Sequence, residues 1–230
     1  MGVIEQLDDA TRSFQTEADA EMRAALADAT PGGYRRFLLR VLGFVRSVER
    51  ALAATPGLER LLDPRRLRKH LLLEAALQTL GMSRVELGRI PVCITVPLFD
   101  EPYGALGWAY VVEHSTLLHS ELYRYLGLRI PGEIAFASSY LKCYFGAVGE
   151  MWRSFADSLE TAAAGAPHHA SWIVDAAAAG FHQQLHWWNT LDDEVVSGIR
   201  DVSPFVASLP SIELDRVSSR PSAGRTPESS

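Results

Sequence analysis

Cysteine is scarce in this sequence, and long apolar runs and an excess of basic residues are missing. Its two cysteines, Cys93 and Cys143, match no metal-binding or redox spacing, so we expect buried free thiols in a reducing, cytoplasmic setting. No apolar run reaches the roughly 18 residues of a membrane span, and the first thirty residues lack the apolar core of a signal peptide. The formal net charge of −6 argues against a general nucleic-acid binder, because contacts to the phosphate backbone need a basic face. The sequence therefore predicts a soluble cytoplasmic protein with no membrane or nucleic-acid partner.

Hydrophobic residues recur at a spacing of three to four along most of the chain, which predicts helices as far as about Asn189. The clearest stripe lies between Gly33 and Ala54, after a Pro-Gly break at residues 30–33. Other helices are expected over residues 4–27, from Asp63-Pro64 to Gly81, and over residues 107–126, 135–161 and 171–191. Residues 88–104 contain three prolines and predict an extended connector rather than a strand. We predict an all-α bundle of about seven helices over residues 1–200, followed by a disordered Ser- and Pro-rich tail over residues 201–230.

Histidines are the main candidate ligands, and none of the seven precedes His70. His182 and His186 are four residues apart in a predicted helix, so one helix face could present both to a metal ion. The alternative is a pair of polar or stacked side chains beside two tryptophans. His168 and His169 are expected in a solvated loop. The chain has no Glu-x-x-His pair, no Gly-x-Ser-x-Gly elbow and no phosphate-binding glycine loop, which argues against di-iron, serine-hydrolase and nucleotide-binding chemistry.

The predicted helix over residues 107–126 combines an apolar first half with a polar cluster. The polar residues are His114, Ser115, Thr116 and His119. By helical geometry His114 and Leu118 share a face, and His119 is turned about 140° away from His114. Two interpretations remain open: the polar side chains satisfy one another and Glu113 or Glu121, or they line a ligand pocket.

The same helix contains a family pattern, with further matches elsewhere in the chain. In this helix the matching residues are Gly107, Tyr110, Val111, Glu113, Ser115 and Leu117. Elsewhere they are Thr11-Arg12, Tyr34, Phe37-Leu38, Glu49, Leu77, Leu80-Gly81, Trp152, Phe155 and the stretch from Phe181 to Trp188. This pattern resembles the haem oxygenases, specifically the bacterial group associated with bacteriophytochromes, and it extends over about residues 1–190.

The resemblance implies an all-α bundle that clamps haem between a proximal and a distal helix. It implies cleavage of haem to biliverdin, iron and CO with O2 and with electrons from a ferredoxin or a flavoprotein reductase, haem being both cofactor and substrate. Arg12 and Arg153 stand where the family has basic residues near the proximal position and a haem propionate. Guanidinium groups suit carboxylates, although solvated surface arginine is the alternative for both.

Two departures from the family pattern predict impaired catalysis. Gln15 stands at the position of the proximal histidine, and an amide is a poor iron ligand. On the distal side, His114 replaces the first glycine, and Leu118 and His119 replace the Gly-Gly pair. Either His114 and Leu118 fill the pocket, or His114 is a candidate haem-iron ligand from the distal side.

Three functions remain open from the sequence. The first is a haem oxygenase with an altered and impaired site. The second is a non-catalytic module that binds haem or a linear tetrapyrrole, or that docks onto a bacteriophytochrome or an active oxygenase. The third is a non-haem metal enzyme on the same bundle, with the metal held by some of His114, His119 and Glu121.

Overall fold

A computed structural model describes residues 1–191 as a bundle of α-helices and short 3-10 turns, without a strand in that range. The helices are α1 (Val3–Ala24), α2 (Pro31–Ala53), α3 (Lys69–Thr79), α4 (Arg84–Leu87), α5 (Pro102–Ser115), α6 (His119–Arg129), α7 (Pro131–Ala137), α8 (Val148–Ala163) and α9 (Pro167–Thr190). The 3-10 turns are Leu58–Arg60, Pro64–Arg66 and Thr116–Leu118. The all-α prediction is confirmed, whereas the predicted tail over residues 201–230 lies outside the described range.

Helix α5 is the centre of the bundle, because every residue from Ala105 to Ser115 is buried. Helix α9 packs along α5 and α1, and α2 packs against α3 and α5. The α5–α9 crossing is close at Gly107, where a Cβ atom would lie 2.4 Å from the carbonyl oxygen of Ile173. A side chain at this position would therefore push the two central helices apart.

The predicted helix starts differ from the structure at two places. Thr30 caps α2 by accepting a hydrogen bond from the Gly33 amide at 3.0 Å, so the predicted Pro-Gly break is the first turn of that helix. Asp63 caps only the 3-10 turn that follows it, and α3 begins at Lys69. Gly81 ends α3 as predicted, with a φ of +90°.

The predicted helix over residues 107–126 is two helices joined by a 3-10 turn. At the end of α5 the hydroxyls of Ser115 and Thr116 donate to the carbonyls of Val112 and Glu113, at 2.8 and 2.7 Å. Hydroxyls that bond the preceding turn compete with the regular backbone ladder, which accounts for the change of helix type at Thr116. The polar cluster of the sequence therefore stands at a break and not in a continuous helix.

Two more boundaries correct the sequence interpretation. Residues 138–147 are non-helical and separate α7 from α8, and Gly146 in this segment has a φ of +80°. Helix α9 begins at Pro167, so His168 and His169 lie in its first turn rather than in a loop. With these divisions the described residues hold nine α-helices rather than about seven.

The connector before α5 forms no strand, as predicted, but the last three residues of the predicted connector, 102–104, belong to α5. It is attached to α2 by the Cys93 amide, which donates to the Gly43 carbonyl at 3.1 Å. Cys93 is buried and Cys143 is partly buried, and both are free thiols. None of the helices within residues 1–191 has the length and apolar character needed to cross a bilayer.

Candidate functional site

The contact between α1 and α5 contains Gln15, the residue at the expected proximal position. The Gln15 amide nitrogen donates to the hydroxyl of Thr11 at 2.8 Å and to the hydroxyl of Tyr110 at 3.0 Å. The Tyr110 hydroxyl in turn donates to a carboxylate oxygen of Asp8 at 2.8 Å. Burial and the Asp8 carboxylate raise the pKa of Tyr110. These hydrogen bonds join α1 directly to α5, across the space where the family resemblance would place haem.

His114 lies one helical turn after Tyr110 and faces the same helix α1. Its Nδ1 atom is 3.8 Å from a carboxylate oxygen of Asp19. Burial lowers the pKa of His114 below its usual value, although Asp19 and Asp8 oppose this shift. Burial also raises the pKa of Asp19, against the effect of His114. A neutral imidazole therefore faces a partly buried carboxyl group at the edge of the helix contact.

Aromatic rings from α8 and α9 cover this contact. Trp152 lies with its ring centroid 5.5 Å from that of Tyr110 and 6.3 Å from that of His114. Phe181 contacts the same two rings at 6.2 and 5.6 Å, in both cases edge to face. The rings of four residues thus fill the space beside α1, so His114 is a packed side chain of the core.

Leu118 and His119, which replace the expected Gly-Gly pair, are both buried. His119 contacts a different set of residues from His114: its ring is edge to face with Tyr140 at 4.4 Å, and Nδ1 is 3.4 Å from the Cys143 sulfur. Burial lowers the pKa of His119 to about 3 and raises that of Cys143 to about 12. The two histidines of the predicted polar cluster therefore belong to separate environments.

The two arginines expected at haem carboxylates lie on the surface. Arg12 pairs with Asp9 at 2.6 Å, one helical turn away, and both side chains are largely exposed. The Nε atom of Arg153 donates to the Gly149 carbonyl of its own helix at 3.2 Å. Both are thus placed as the surface alternative expects.

A buried charge network around Glu113 is the main polar feature that sequence reasoning missed. Glu113 pairs with Arg66 at 3.0 Å and with Lys69 at 2.7 Å, and the Tyr144 hydroxyl donates to it at 3.1 Å. Burial by itself would lower the pKa of Lys69, but Glu113 raises it. The sequence indicates this network only through Glu113, an acidic residue within an apolar stretch. The network fixes the 3-10 turn before α3 and the segment after α7 onto α5.

A second buried carboxylate, Glu49, holds the start of α3. Its oxygens accept hydrogen bonds from the backbone amides of Lys69 and His70, at 2.8 and 3.0 Å. The His70 ring is also bonded to Glu49, and this bond raises the pKa of His70. Glu49 therefore caps a helix that lacks a capping side chain of its own.

The described part of the chain contains no group of three His, Cys, Asp or Glu side chains arranged to hold a metal ion. His182 and His186 are exposed on α9. Glu121 forms an exposed ion pair with Arg23 at 2.8 Å, whereas His119 is buried against Tyr140. The residues considered for a non-haem metal are therefore not brought together.

The α1–α5 contact also does not fit a haem. A porphyrin between two helices needs contact distances of about 3.5 Å on each of its faces. The Gln15 nitrogen and the Tyr110 oxygen are 3.0 Å apart, which leaves no thickness for a ring system. His114 and its aromatic neighbours occupy the adjoining space.

Comparison with protein-family models, with curated proteins and with solved structures finds no significant match to this chain. The resemblance to the haem oxygenases therefore rests on the residue pattern alone.

Proposed function

We propose that this chain is a haem-oxygenase-like protein that acts as a non-catalytic module docking onto an acidic protein partner. The observation that carries the proposal is the direct bond between Gln15 and Tyr110, since it joins the two helices that would otherwise enclose haem. The proximal ligand is replaced by an amide whose hydrogen atoms are already engaged by two hydroxyls. An oxygenase site would require this contact to be open.

A protein partner is supported by exposed apolar side chains in the connector before α5, which follow two exposed arginines in the chain. Ile94 and Leu98 in the connector before α5 are 89% and 82% exposed and lie four residues apart in the chain. Arg84 and Arg89 are exposed just before them in the chain. We call these four residues the connector surface. Apolar anchors next to positive charge suit a partner with an acidic rim around an apolar patch.

Charge along the chain points to the same kind of partner. Residues 33–90 carry twelve Arg and Lys against five Asp and Glu, although the whole chain has a net charge of −6. This stretch includes Arg84 and Arg89 and ends four residues before Ile94. An excess of positive charge in this stretch favours association with an acidic partner. The resemblance suggests two partners to test, a bacteriophytochrome and an active haem oxygenase.

A haem titration followed by absorption spectroscopy tests the loss of the oxygenase site. We expect no stoichiometric Soret band from the purified protein, and no biliverdin when a reductant is added in air. A sharp Soret band at a 1:1 ratio followed by conversion to biliverdin would overturn the non-catalytic assignment.

Binding to purified bacteriophytochrome and to an active haem oxygenase of the same organism tests the docking role. The double substitution Ile94→Ser with Leu98→Ser should weaken binding at least tenfold, and added salt should weaken binding to the unaltered protein. Leu128→Ser with Phe136→Ser is the matched control, since these residues are 88% and 75% exposed elsewhere on the molecule. Equal loss in both variants, or binding to neither protein, would count against this surface.

The environment of His114 favours a second candidate, a haem protein whose α1–α5 contact opens. A neutral imidazole beside the Asp19 carboxyl group has the chemical character of an iron ligand, and its side chain is 11% exposed. If haem binds, the Soret band of the unaltered protein should be lost in His114→Ala and retained in the exposed control His182→Ala. An identical spectrum in all three proteins would exclude His114 as the ligand.

A further inference from the structure

A surface groove is formed by α2, α3 and α4. It is lined by residues of these three helices and by Gly88, which follows α4. Its volume is about 600 Å³. Sites that bind small ligands typically have volumes of about 300–1,000 Å³. The groove therefore has the size of a binding site.

An ion pair fixes the inner part of the groove. The guanidinium group of Arg46 donates to a carboxylate oxygen of Glu74 at 2.8 Å and to the Leu87 carbonyl at 3.0 Å. These bonds connect α2 to both α3 and α4, and the side chains of Arg46 and Glu74 are mostly buried. The negative charge of Glu74 is thus balanced within the protein.

The outer part of the groove carries an available positive charge. Arg84, the first residue of α4, is exposed, and its guanidinium group makes no hydrogen bond or ion pair with any residue from 1 to 191. It therefore remains available to a carboxylate from outside. Every lining residue also lies within residues 33–90, the stretch with an excess of positive charge. The groove thus favours a negatively charged ligand.

Aliphatic side chains supply the rest of the lining. Leu71 and Ala75 are one helical turn apart on α3 and both are exposed, and the buried Leu87 of α4 lines the same groove. A ligand that covers Leu71 would remove apolar surface from water, which is favourable. The complementary ligand therefore combines a carboxylate with an aliphatic group.

The exposure of the lining residues favours a peptide segment over a small molecule. Small-molecule sites bury most of their ligand and are lined mainly by apolar side chains. Five of the eight residues that line this groove are exposed, and four of the eight are polar or charged. Arginine side chains recognise acidic motifs of proteins at sites of this kind.

We propose that this groove binds an acidic segment of the docking partner. A carboxylate of the segment pairs with Arg84, and a neighbouring aliphatic side chain contacts Leu71 and Ala75. That the segment comes from the docking partner rests on the proposed function. Arg84 belongs both to the groove and to the connector surface, so the partner contacts α3 and α4 as well as the connector before α5.

Methyl NMR of the full chain with a synthetic acidic peptide tests the groove without the partner. The probe is an acetylated and amidated hexapeptide of alternating glutamate and leucine, and a lysine–leucine hexapeptide is the control. We expect saturable shifts of the Leu71, Ala75 and Leu87 methyl signals with the acidic probe alone. No shift at these methyl groups, or equal shifts with the lysine peptide, would overturn the proposal.

Charge reversal at two arginines separates the groove from a general effect of charge. Arg84→Glu should weaken binding of the acidic probe at least fivefold, because like charges then face each other. Arg89→Glu changes the net charge equally, but Arg89 is exposed outside the groove, so its affinity should stay within twofold. Equal losses in the two variants would contradict a specific site.

Binding of the partner distinguishes the groove from the connector surface. Leu71→Ser should weaken partner binding at least threefold, whereas the exposed control Leu128→Ser should not. An unchanged affinity of Leu71→Ser would overturn the role of the groove and leave the connector surface in place. Probe binding without docking of either partner would support the groove as a site for acidic segments, but would contradict the proposed function.

The chain itself contains a segment of the same chemistry, Ile212-Glu213-Leu214-Asp215. Glu213→Gln with Asp215→Asn in the full chain tests whether this segment competes for the groove. We expect an unchanged affinity for the acidic probe. Tighter probe binding by this variant would assign the groove to the chain's own segment and would overturn its assignment to a partner.

Discussion

Side chains at three positions of α5 determine what the bundle can enclose. Tyr110 and His114 occupy the side facing α1, and Glu113 occupies the side facing Arg66 and Lys69. The sequence analysis singled out Gln15 and His114 on the first side, because the pattern that carries the resemblance includes the proximal position and the distal glycines. It could not predict Trp152 and Phe181 as neighbours, since both come from helices far away in the chain.

Replacement of Glu113 by Gln should destabilise the protein strongly. The change leaves the charges of Lys69 and Arg66 buried without their carboxylate, which costs about 3–5 kcal/mol of unfolding free energy. Glu121→Gln is the control, because its pair with Arg23 is half exposed and is worth at most about 1 kcal/mol. Urea unfolding of both variants measures the difference. Similar stabilities would show that the buried network does not hold α5 and α3 together.

The free energy of unfolding should decrease as the pH falls below 6.5, because of His119. Its pKa is about 3 in the folded protein and 6.5 when unfolded, so between these values the unfolded chain binds one more proton. This lowers the unfolding free energy by up to about 1.4 kcal/mol per pH unit as the pH falls. His114, with its lowered pKa, acts in the same direction, whereas His70, whose pKa is raised, gains its stabilising effect above pH 6.5 and does not change the slope below it.

Urea unfolding between pH 7 and pH 4 isolates the contribution of His119. His119→Gln should show a shallower dependence on pH than the unaltered protein. The exposed His186→Gln should keep the original slope. A variant slope equal to the original would mean that His119 takes up a proton in the folded state.

At the scale of elements, sequence periodicity located every long helix but not every end. The periodicity predicted α5 and α6 as one helix because the apolar spacing continues across the 3-10 turn. The break between them coincides with two hydrogen bonds from the hydroxyls of Ser115 and Thr116 to backbone carbonyls. The sequence also predicted too early a start for α3, because Asp63-Pro64 is a good cap for any helical turn, whether 3-10 or α. Cap residues predict where a turn begins, but tertiary partners such as Glu49 decide where the α-helix continues.

Gly107→Ala should weaken the packing of α5 on α9. The new methyl group would meet the Ile173 carbonyl oxygen at 2.4 Å and the Ala177 nitrogen at 2.7 Å, both of which belong to the backbone of the facing helix. We expect a loss of about 1–3 kcal/mol in unfolding free energy, measured by urea denaturation. Gly149→Ala is the matched control within α8: nothing lies within 4 Å of its Cβ position, so it should gain about 0.4–1 kcal/mol. A neutral Gly107 variant would indicate that the crossing can widen freely.

At the scale of the whole molecule, the bundle combines a central helix that is buried over most of its length with a non-helical connector that leads into it. Helix α5 is buried from Ala105 onward, whereas Ile94 and Leu98 in the connector are almost fully exposed. Composition predicted a single core, but the central position of α5 follows from its contacts with several other elements. The weak amphipathicity of this mostly apolar helix could indicate that position only in part.

Amide hydrogen exchange followed by mass spectrometry should reveal this contrast. Amides of α5 should exchange only through global unfolding, because no local opening can expose a helix enclosed by α2, α8 and α9. Amides between Ile94 and Asp100 should exchange orders of magnitude faster, since the backbone bond from Cys93 to Gly43 is the connector's attachment to α2. Bound to its partner, the connector should become protected while α5 keeps its rate, because docking covers the surface and leaves the core unchanged. Fast exchange in α5 of the free protein would instead mean that the α1–α5 contact opens in solution, and would favour the haem-binding candidate over the docking module.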